Sequence, residues 1–135
     1  MSVLVLAEHN NIEIKAATFN TIFAASKIDS NVEVLLIGSG CEKLAKELST
    51  CQYVQKVLIL DKPQFEHPIA ELYAPVIVSL SENYTHIIGP ATTFGKNIFP
   101  RVAVNLDISQ ISDVIKIIEG DTFVRHIYAG NALAT

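Results

Sequence analysis

Apolar residues in this sequence fall into short runs rich in Val, Ile and Leu. Four of these runs are typical of β-strands: VLVLA at 3–7, VEVLLIG at 32–38, KVLIL at 56–60 and THIIG at 85–89. Nearly unbroken apolar character is expected of parallel strands that are covered on both faces. The runs therefore predict a parallel sheet at the centre of the protein.

Stretches with helical spacing separate these runs. Helices are predicted at 17–28, 41–50, 68–83 and 96–106. The first of them carries four residues at helical intervals: Phe19, Ile22, Phe23 and Ser26. Pro75 and Pro100 fall inside the last two helices, where we expect a kink or a late start because proline lacks the backbone N–H. Strands joined by such long connections form right-handed crossovers, so we expect a doubly wound α/β fold, mostly parallel, with helices on both faces.

The pattern changes after residue 107. Strand-like runs at 113–118 and 122–128 are separated only by the tripeptide EGD. Such a short gap containing glycine predicts a C-terminal antiparallel hairpin. The sequence stops at Thr135 directly after an apolar pattern, so we expect the chain to be a truncated piece of a longer one.

Composition narrows the possible functions. The chain has 135 residues, which suits one domain, and 50% of them are hydrophobic while 18% are charged. A net charge of −4 without any basic run argues against binding nucleic acid. No apolar stretch reaches the roughly 18 residues that span a bilayer. The start, MSVLVLAEH, resembles no signal or transit peptide, so a cytoplasmic location is expected.

The positions of cysteine and histidine indicate neither a disulfide scaffold nor a metal site. Cys41 and Cys51 fit a reduced compartment, and the nine residues between them are not a zinc spacing. Four isolated histidines form no HxxxH pair: His9, His67, His86 and His126. We therefore predict no metal-ligating residue.

The segment IGSGCEK at 37–43 is the first candidate for chemistry. Gly38 and Gly40 supply half of a GxGxxG dinucleotide motif, but Lys43 stands at its third glycine position. Cys41 at a helix N-terminus would be an activated nucleophile only with a base beside it, and the sequence pairs it with none. The favoured interpretation is a strand-to-helix turn with a small residue at the helix start.

The loop GPATTFGKN at 89–97 is the second candidate, at the carboxyl edge of the sheet where open α/β folds bind ligands. Donors and charge for an anion come from the helix N-terminus and four residues: Thr92, Thr93, Gly95 and Lys96. The phosphate-loop pattern GxxxxGK[ST] is nevertheless absent, because Gly89 stands six residues before Gly95 and Asn97 replaces the Ser or Thr. A helix cap and packing loop is favoured, and phosphate binding remains the alternative.

Other charged and nucleophilic residues suggest no active site. Glu8 and His9 follow the first strand, and Ser112 and Asp113 precede the hairpin. Because no GxSxG elbow presents a serine, we interpret these residues as solvated loop residues or structural caps. We predict no catalytic residue.

The sequence has only two arginines, Arg101 and Arg125. A guanidinium group suits fixed contacts with carboxylates at buried or interfacial sites. We therefore expect at least one arginine to face a partner or to pair with a carboxylate such as one of these: Asp107, Asp113 or Asp121.

Three blocks of the sequence resemble the N-terminal domain of the electron transfer flavoprotein alpha subunit. They are LAEHNNIEIKAATFNT at 6–21, PATTFGKNIFPRVAVNLDISQISDV at 90–114 and DTFVRHIYAGNALAT at 121–135. Their motifs AEH, TFGKN, PRVA, ISD, TFVR and IYAGNA follow the family's order and spacing, and the resemblance covers essentially the whole chain. Two departures are visible: His126 stands where the family often has proline, and HNNIEI at 9–14 lacks the usual glycine.

The resemblance implies a fold like that of the adenine-nucleotide alpha-hydrolases and a heterodimer of alpha and beta subunits that carries one FAD. Such proteins take electrons from acyl-CoA dehydrogenases and related enzymes, as in fatty acid β-oxidation, and pass them to a membrane quinone oxidoreductase. In this family the FAD is held mainly by the C-terminal domain of the alpha subunit, and the beta subunit holds an AMP.

Residues 1–135 would then be the N-terminal domain, ending before the FAD-binding domain. It would be a scaffold and subunit interface of an electron carrier, without a catalytic, cofactor-binding or metal-ligating residue of its own. Four residues of the second candidate loop and its helix would accordingly be structural or interface residues: Gly95, Lys96, Pro100 and Arg101.

Two other functions stand beside this one. A free-standing nucleotide-binding module of the universal-stress type would carry a glycine-rich phosphate loop late in the chain, where this sequence has only the single glycines Gly120 and Gly130. A cysteine hydrolase built on Cys41 would need a thiol that is alkylated rapidly at neutral pH.

Overall fold

Four parallel strands form the centre of the protein in a computed structural model that describes residues 2–90 and 92–105. The strands are β1 (Val3–Leu6), β2 (Val32–Gly38), β3 (Val54–Asp61) and β4 (His86–Ile88). Their order in the sheet is β3-β2-β1-β4. Val3 is paired with Val32 on one side and with His86 on the other, so the first strand lies between the second and the fourth.

Four α-helices connect and follow these strands: α1 (Ala16–Ser26), α2 (Glu42–Ser49), α3 (Ala70–Leu80) and α4 (Thr93–Asn105). Short 3₁₀ turns lie at Pro63–Phe65 and Ser81–Asn83. Helix α4 begins at Thr93, three residues before the predicted start, and both α3 and α4 continue through their prolines, Pro75 and Pro100. The expectation that a helix starts late, at its proline, was therefore wrong, while the alternative of a kink stays a prediction.

The sheet separates two apolar cores. Helices α1 and α2 cover one face, where Ile22, Leu44 and Leu48 pack with β-strand residues such as Val5 and Val34. Helices α3 and α4 cover the other face with a second set of buried residues: Tyr73, Ala74, Ile77, Ile98, Phe99 and Val102. Helices thus cover both faces of the parallel sheet, and β1 and β2 are buried on both faces while the edge strand β3 is partly exposed, which confirms the predicted α/β fold. The hairpin predicted at 113–128 lies outside the described residues.

Helix α1 turns a different side to the core than its aromatic residues suggest. Its buried residues are Thr18, Thr21, Ile22 and Ala25, whereas Phe19 and Phe23 are exposed. The two threonines can be buried because their hydroxyl groups are hydrogen bonded. The Thr18 hydroxyl donates to the Glu8 carbonyl at 2.9 Å and accepts from the Glu8 amide at 2.8 Å, and the Thr21 hydroxyl donates to the Ala17 carbonyl at 2.8 Å.

The strand order places a topological switch point at β1. The chain leaves β1 towards β2 on one side, and β4 returns to its other side. Ligands of open α/β sheets bind in the crevice that this arrangement opens at the carboxyl ends of the strands. Among the described residues, no helix is both long enough and apolar enough to cross a membrane.

Candidate functional site

The loops at the carboxyl ends of the strands bring both sequence candidates to one edge of the sheet. The turn after β2 carries Gly40 and Cys41, and the loop after β4 leads into Thr92 and α4. The loop after β1 lies between them and carries Glu8 and His9. A nucleotide would bind at this edge. The hydrogen bonds of its polar groups therefore show whether these groups are free to hold a ligand or are already bonded within the protein.

The N-terminus of α2 is occupied by a carboxylate of the protein itself. The backbone N–H groups of Gly40 and Cys41 donate to the two carboxylate oxygens of Asp61, at 2.7 and 3.0 Å. Asp61 is the last residue of β3 and is paired in register with Gly38. Two consecutive amides at a helix N-terminus are a typical phosphate-binding arrangement. Here they already hold an anion.

Cys41 lies in the core, where its surroundings do not activate the thiol. Its side chain is fully buried, and burial together with the neighbouring Asp61 carboxylate raises the pKa of the thiol to about 11. A helix N-terminus alone would have lowered this pKa. The interpretation of Cys41 as a small residue in a turn is confirmed. Both cysteines are free thiols.

His9 is the histidine nearest to this turn, and both of its ring nitrogens are engaged with the backbone. Nε2 lies 2.7 Å from the Ile37 carbonyl oxygen, and Nδ1 accepts from the Asn11 N–H at 2.9 Å. Because a carbonyl only accepts and an amide N–H only donates, the ring is neutral with its proton on Nε2. Burial lowers the pKa of His9, against the opposing effects of the Ile37 hydrogen bond and the Glu8 charge. His9 is therefore not free to serve as a base for Cys41.

Asn11 ties three loops of this edge together. Its side-chain oxygen accepts from the Ser39 N–H at 3.0 Å, and its side-chain nitrogen donates to the Glu66 carbonyl at 2.9 Å. Its backbone has φ +72°, in the left-handed region where glycine is favoured and asparagine is tolerated. Asn11 thus adopts a backbone conformation that favours glycine, and its side chain forms two hydrogen bonds there.

The crevice between β1 and β4 is bridged by a second carboxylate. The Thr92 hydroxyl donates to the Glu8 side chain at 2.9 Å. A carboxylate in this position repels a phosphate rather than attracting one. Lys96 does not supply the missing positive charge in this crevice, because it lines a groove of about 630 Å³ between α3 and α4.

The glycines of the loop after β4 are required by close packing. A side-chain carbon at Gly89 would overlap the ring of Phe99, and one at Gly95 would overlap the Pro90 carbonyl oxygen. Both glycines lie where α4 approaches the strand end, and neither has a positive φ. The helix cap and packing loop therefore explains the Gly-rich stretch without a ligand.

A cleft of about 390 Å³ opens beside the β1 loop. Its lining comprises His9, Asn10, Asn11, Glu66, His67, Pro68, Tyr73 and Phe94. The Tyr73 hydroxyl lies 3.0 Å from the Ile37 carbonyl and 3.1 Å from the Phe65 carbonyl, and burial raises its pKa to about 12. The polar groups of His9 and Tyr73 in this lining are thus hydrogen bonded to backbone carbonyl groups. They are therefore not available to bind a substrate.

Arg101 forms an ion pair with Glu71 at 3.4 Å. The expectation that at least one arginine pairs with a carboxylate is confirmed, although the partner comes from α3 rather than from one of the aspartates named above. Both side chains are more than half exposed, so the pair contributes little to stability. Arg125 lies outside the described residues, as do Ser112 and Asp113.

Sequence reasoning named Glu8 and Thr92 but missed Asp61 and Asn11 among the residues that close this edge. The sequence could have indicated Asp61, because it is a carboxylate at the end of a predicted strand. For Asn11 the sequence offered only the tolerance of asparagine for a positive φ. Within the described part of the chain, no three His, Cys, Asp or Glu side chains are grouped closely enough to hold a metal ion.

Comparison with known proteins gives one family. The family profile described as electron transfer flavoprotein domain matches residues 3–135. An electron transfer flavoprotein subunit alpha from Pseudomonas aeruginosa is 46% identical over 135 residues, covering all of this chain and 44% of the relative. Mitochondrial alpha subunits from Dictyostelium discoideum and Arabidopsis thaliana are 46% and 43% identical, and each is covered to 39%.

The match extends over both candidate loops and over the edge that Asp61, Asn11 and Glu8 close. The chain spans less than half the length of these relatives, from 39% to 44%. Identity at this level over the entire chain is far beyond what a shared fold alone produces, and it agrees with the sequence blocks that carried the resemblance. The chain therefore belongs to the electron transfer flavoprotein family.

Proposed function

We propose that residues 1–135 form the N-terminal domain of an electron transfer flavoprotein alpha subunit and act as its scaffold and subunit interface. The proposal is supported by the family match over residues 3–135 and by relatives that are alpha subunits more than twice as long as this chain. The complete protein would be a heterodimer with a beta subunit, would carry one FAD, and would be an electron carrier rather than an enzyme.

The closed carboxyl edge of the sheet is the observation that carries this proposal. A nucleotide-binding domain of this architecture offers free amides and positive charge at that edge. Here Asp61 takes the amides of Gly40 and Cys41, and Glu8 takes the hydroxyl of Thr92. The FAD of the complete protein would thus be held mainly by the chain that follows this domain in its relatives.

The electron donors in this proposal are acyl-CoA dehydrogenases and related dehydrogenases, and the acceptor is a membrane quinone oxidoreductase. Residues 1–135 take part in neither transfer directly, since they hold no redox group in this proposal. In this proposal Gly95 has a structural role, because it packs against the Pro90 carbonyl oxygen, while Lys96, Pro100 and Arg101 are exposed on the groove between α3 and α4.

We expect the purified 135-residue chain to stay colourless after incubation with stoichiometric FAD and removal of the excess by gel filtration. One side of a pocket buries too little of an FAD to offset the cost of fixing it. Absorbance at the flavin bands is the measurement, and the complete heterodimer, treated in parallel, is the positive control. A retained yellow colour with one FAD per chain would show that this domain binds flavin by itself and would refute the proposal.

The rival function, a free-standing nucleotide-binding module of the universal-stress type, is separated from this one by titrating the chain calorimetrically with AMP and ATP. We expect no binding in the submillimolar range, because two carboxylates stand where the phosphates would lie. Submillimolar binding of either nucleotide would favour the module over the electron carrier.

A further inference from the structure

The loop that follows β1, at residues 9–14, lies over the end of β2. Where β1 ends, the Ala7 N–H donates to the Leu35 carbonyl at 3.0 Å. Strand β2 is longer than β1, so the Ile37 carbonyl, which points to the same side as that of Leu35, lies beyond the end of β1. His9 Nε2 lies 2.7 Å from the Ile37 carbonyl oxygen. The imidazole thus takes the place that the next backbone N–H of a longer β1 would occupy.

Gly38 provides the space for this arrangement. A side-chain carbon at this glycine would lie 2.6 Å from Asn11 Oδ1 and 2.6 Å from His9 Cε1, which is too close for either contact. Immediately beyond it, Asn11 Oδ1 accepts from the Ser39 N–H. The side chains of His9 and Asn11 therefore rest directly on the backbone at the end of β2.

The tip of this loop, residues 10–13, is closed on itself. The Asn10 side-chain oxygen accepts from the N–H groups of Ile12 and Glu13 at 2.9 and 2.8 Å, and the Asn10 N–H donates to the Glu13 carbonyl at 3.2 Å. The base of the loop is fixed separately, since Ile14 packs against the core beneath α1 and α2. The loop tip can therefore leave β2 as a unit while the base of the loop stays in place.

The protonation of His9 determines whether Asn11 can stay on β2. In the neutral ring, Nδ1 accepts from the Asn11 N–H at 2.9 Å. A second proton must add at Nδ1, because Nε2 already carries one. Two donors would then face each other, so the Asn11 N–H would have to move away. The bond from Nε2 to the Ile37 carbonyl is unaffected, because Nε2 is a donor in both states.

The groups around His9 act on its protonation in different directions. Burial has the largest effect and lowers the pKa of His9 from 6.5, whereas the neighbouring Glu8 carboxylate raises it. Cys41 and Tyr73, from the start of α2 and from α3, are uncharged at neutral pH because their pKa values are about 11 and about 12. Further titratable groups near this edge belong to Glu13, Lys15, Asp61, Lys62, Glu66 and His67.

We propose that protonation of His9 releases the loop tip from the end of β2 while the sheet stays folded. The released tip lets water reach Nδ1, and hydration stabilises the charged ring. The release also frees the Ser39 N–H and the Glu66 carbonyl, the two partners of the Asn11 side chain. It would widen the cleft of about 390 Å³ that His9 and Asn11 line. The carboxyl edge of the sheet would thus be closed at neutral pH and accessible in acid.

Hydrogen–deuterium exchange at single amides, measured by mass spectrometry on the protein as its gene encodes it, tests this proposal. Between pH 7.5 and pH 5.5, we expect the protection of the Asn11 and Ser39 N–H groups to fall about tenfold after correction for intrinsic exchange rates. The reason is that opening then takes up one proton at His9. The Ala7 N–H, bonded to the adjacent strand, should keep its protection. An equal fall at Ala7 would show that the whole sheet opens and would overturn the proposal.

Two histidine variants identify the group that takes up the proton. His9→Gln cannot be protonated in this pH range, so the protection of the Ser39 N–H should be the same at both pH values. His67→Gln replaces the other histidine of the cleft and should retain the tenfold change, because His9 Nδ1 still takes up a proton beside the Asn11 N–H. A tenfold change that persists in His9→Gln, or that is lost in His67→Gln, contradicts the proposal.

Asn11→Gly keeps the test decisive if His9→Gln impairs folding, which circular dichroism would show. Glycine readily adopts the φ of +72° found at Asn11, but it lacks the side chain that bonds to the Ser39 N–H. We therefore expect the Ser39 N–H to be unprotected at both pH values in this variant. Protection at Ser39 that is unchanged and still falls tenfold in acid would show that Asn11 does not hold the loop tip on β2.

Discussion

Individual polar residues at the carboxyl edge are placed so that they bond to one another or to the backbone. His9 bonds to Ile37 and Asn11 through its two ring nitrogens, and Asn11 in turn bonds to Ser39 and Glu66. Each of these bonds satisfies a group that would be costly to leave unpaired in a half-buried position. The same bonds leave few free donors for a ligand. At this scale the residues act as structural connections between loops.

His9 should make the stability of the protein depend on pH. Its pKa is lowered from 6.5 by burial, so the unfolded chain binds a proton at His9 more readily than the folded one. The free energy of unfolding should therefore be highest above pH 6.5, decrease as the pH falls towards the lower pKa of the folded state, and level off below it. Urea unfolding at a series of pH values from 8 to 5 measures this slope.

The matched control for this experiment is an exposed histidine. His9→Gln should flatten the slope below pH 6.5, and His67→Gln, which replaces a surface histidine in the same way, is the variant to compare it with. Equal slopes in the unaltered chain and His9→Gln would show that His9 is not held neutral by its surroundings.

At the scale of elements, the start of α2 depends on a residue from a neighbouring strand. No side chain next to the helix caps it: its N-cap residue is Cys41, which makes no side-chain capping bond. Asp61 supplies the cap from the end of β3, and the pairing of Gly38 with Asp61 brings it within reach. The carboxylate thereby fixes the helix to the sheet, as well as occupying the anion position.

Removing this cap should lower stability by an amount typical of a helix cap. We expect Asp61→Ala to reduce the free energy of unfolding by about 1–2 kcal/mol, since two amide N–H groups lose their acceptors. Asp61→Asn should cost less, because its side-chain oxygen still accepts one bond. Denaturant unfolding monitored by circular dichroism measures both.

Glu42→Gln serves as the control for Asp61, since Glu42 carries a negative charge in the first turn of the same helix. It should change stability by no more than about 0.5 kcal/mol, because it contributes only through the helix dipole. If Asp61→Ala is no more destabilising than Glu42→Gln, the carboxylate acts by its charge alone and does not cap the helix.

At the scale of the whole molecule, two apolar cores on opposite sides of one sheet hold the domain together. Cys41 belongs to one of them and is fully buried, whereas Cys51 is half-buried at the end of α2. A buried thiol reacts only when the structure around it opens, so its labelling rate reports how often the core opens.

We expect Cys41 to be alkylated at least ~100-fold more slowly than Cys51 at neutral pH. Burial, a pKa of about 11 and the nearby Asp61 carboxylate all act in the same direction for Cys41. Low concentrations of urea should accelerate its labelling in proportion to global opening. Mass spectrometry of the labelled peptides distinguishes the two cysteines in one sample, and rapid labelling of Cys41 in the native protein would revive the cysteine hydrolase.

The sequence by itself determined the architecture and the family. Unbroken runs of Val, Ile and Leu identify buried parallel strands because each such strand must be apolar on both faces, and all four observed strands overlap the predicted runs. The ordered blocks from AEH to IYAGNA carried a resemblance to the family, and the family profile over residues 3–135 and the 46% identity to an alpha subunit confirm it.

Tertiary structure alone decided which groups meet at the sheet edge and which side of α1 is buried. Asp61 and Gly40 are 21 residues apart, and Thr92 and Glu8 are 84 apart, so only strand pairing brings them together. The aromatic spacing of α1 predicted a helix but not its rotation, because Thr18 and Thr21 become suitable for the core only once their hydroxyl groups find backbone partners. Packing, and not local pattern, therefore left Phe19 and Phe23 exposed on the surface.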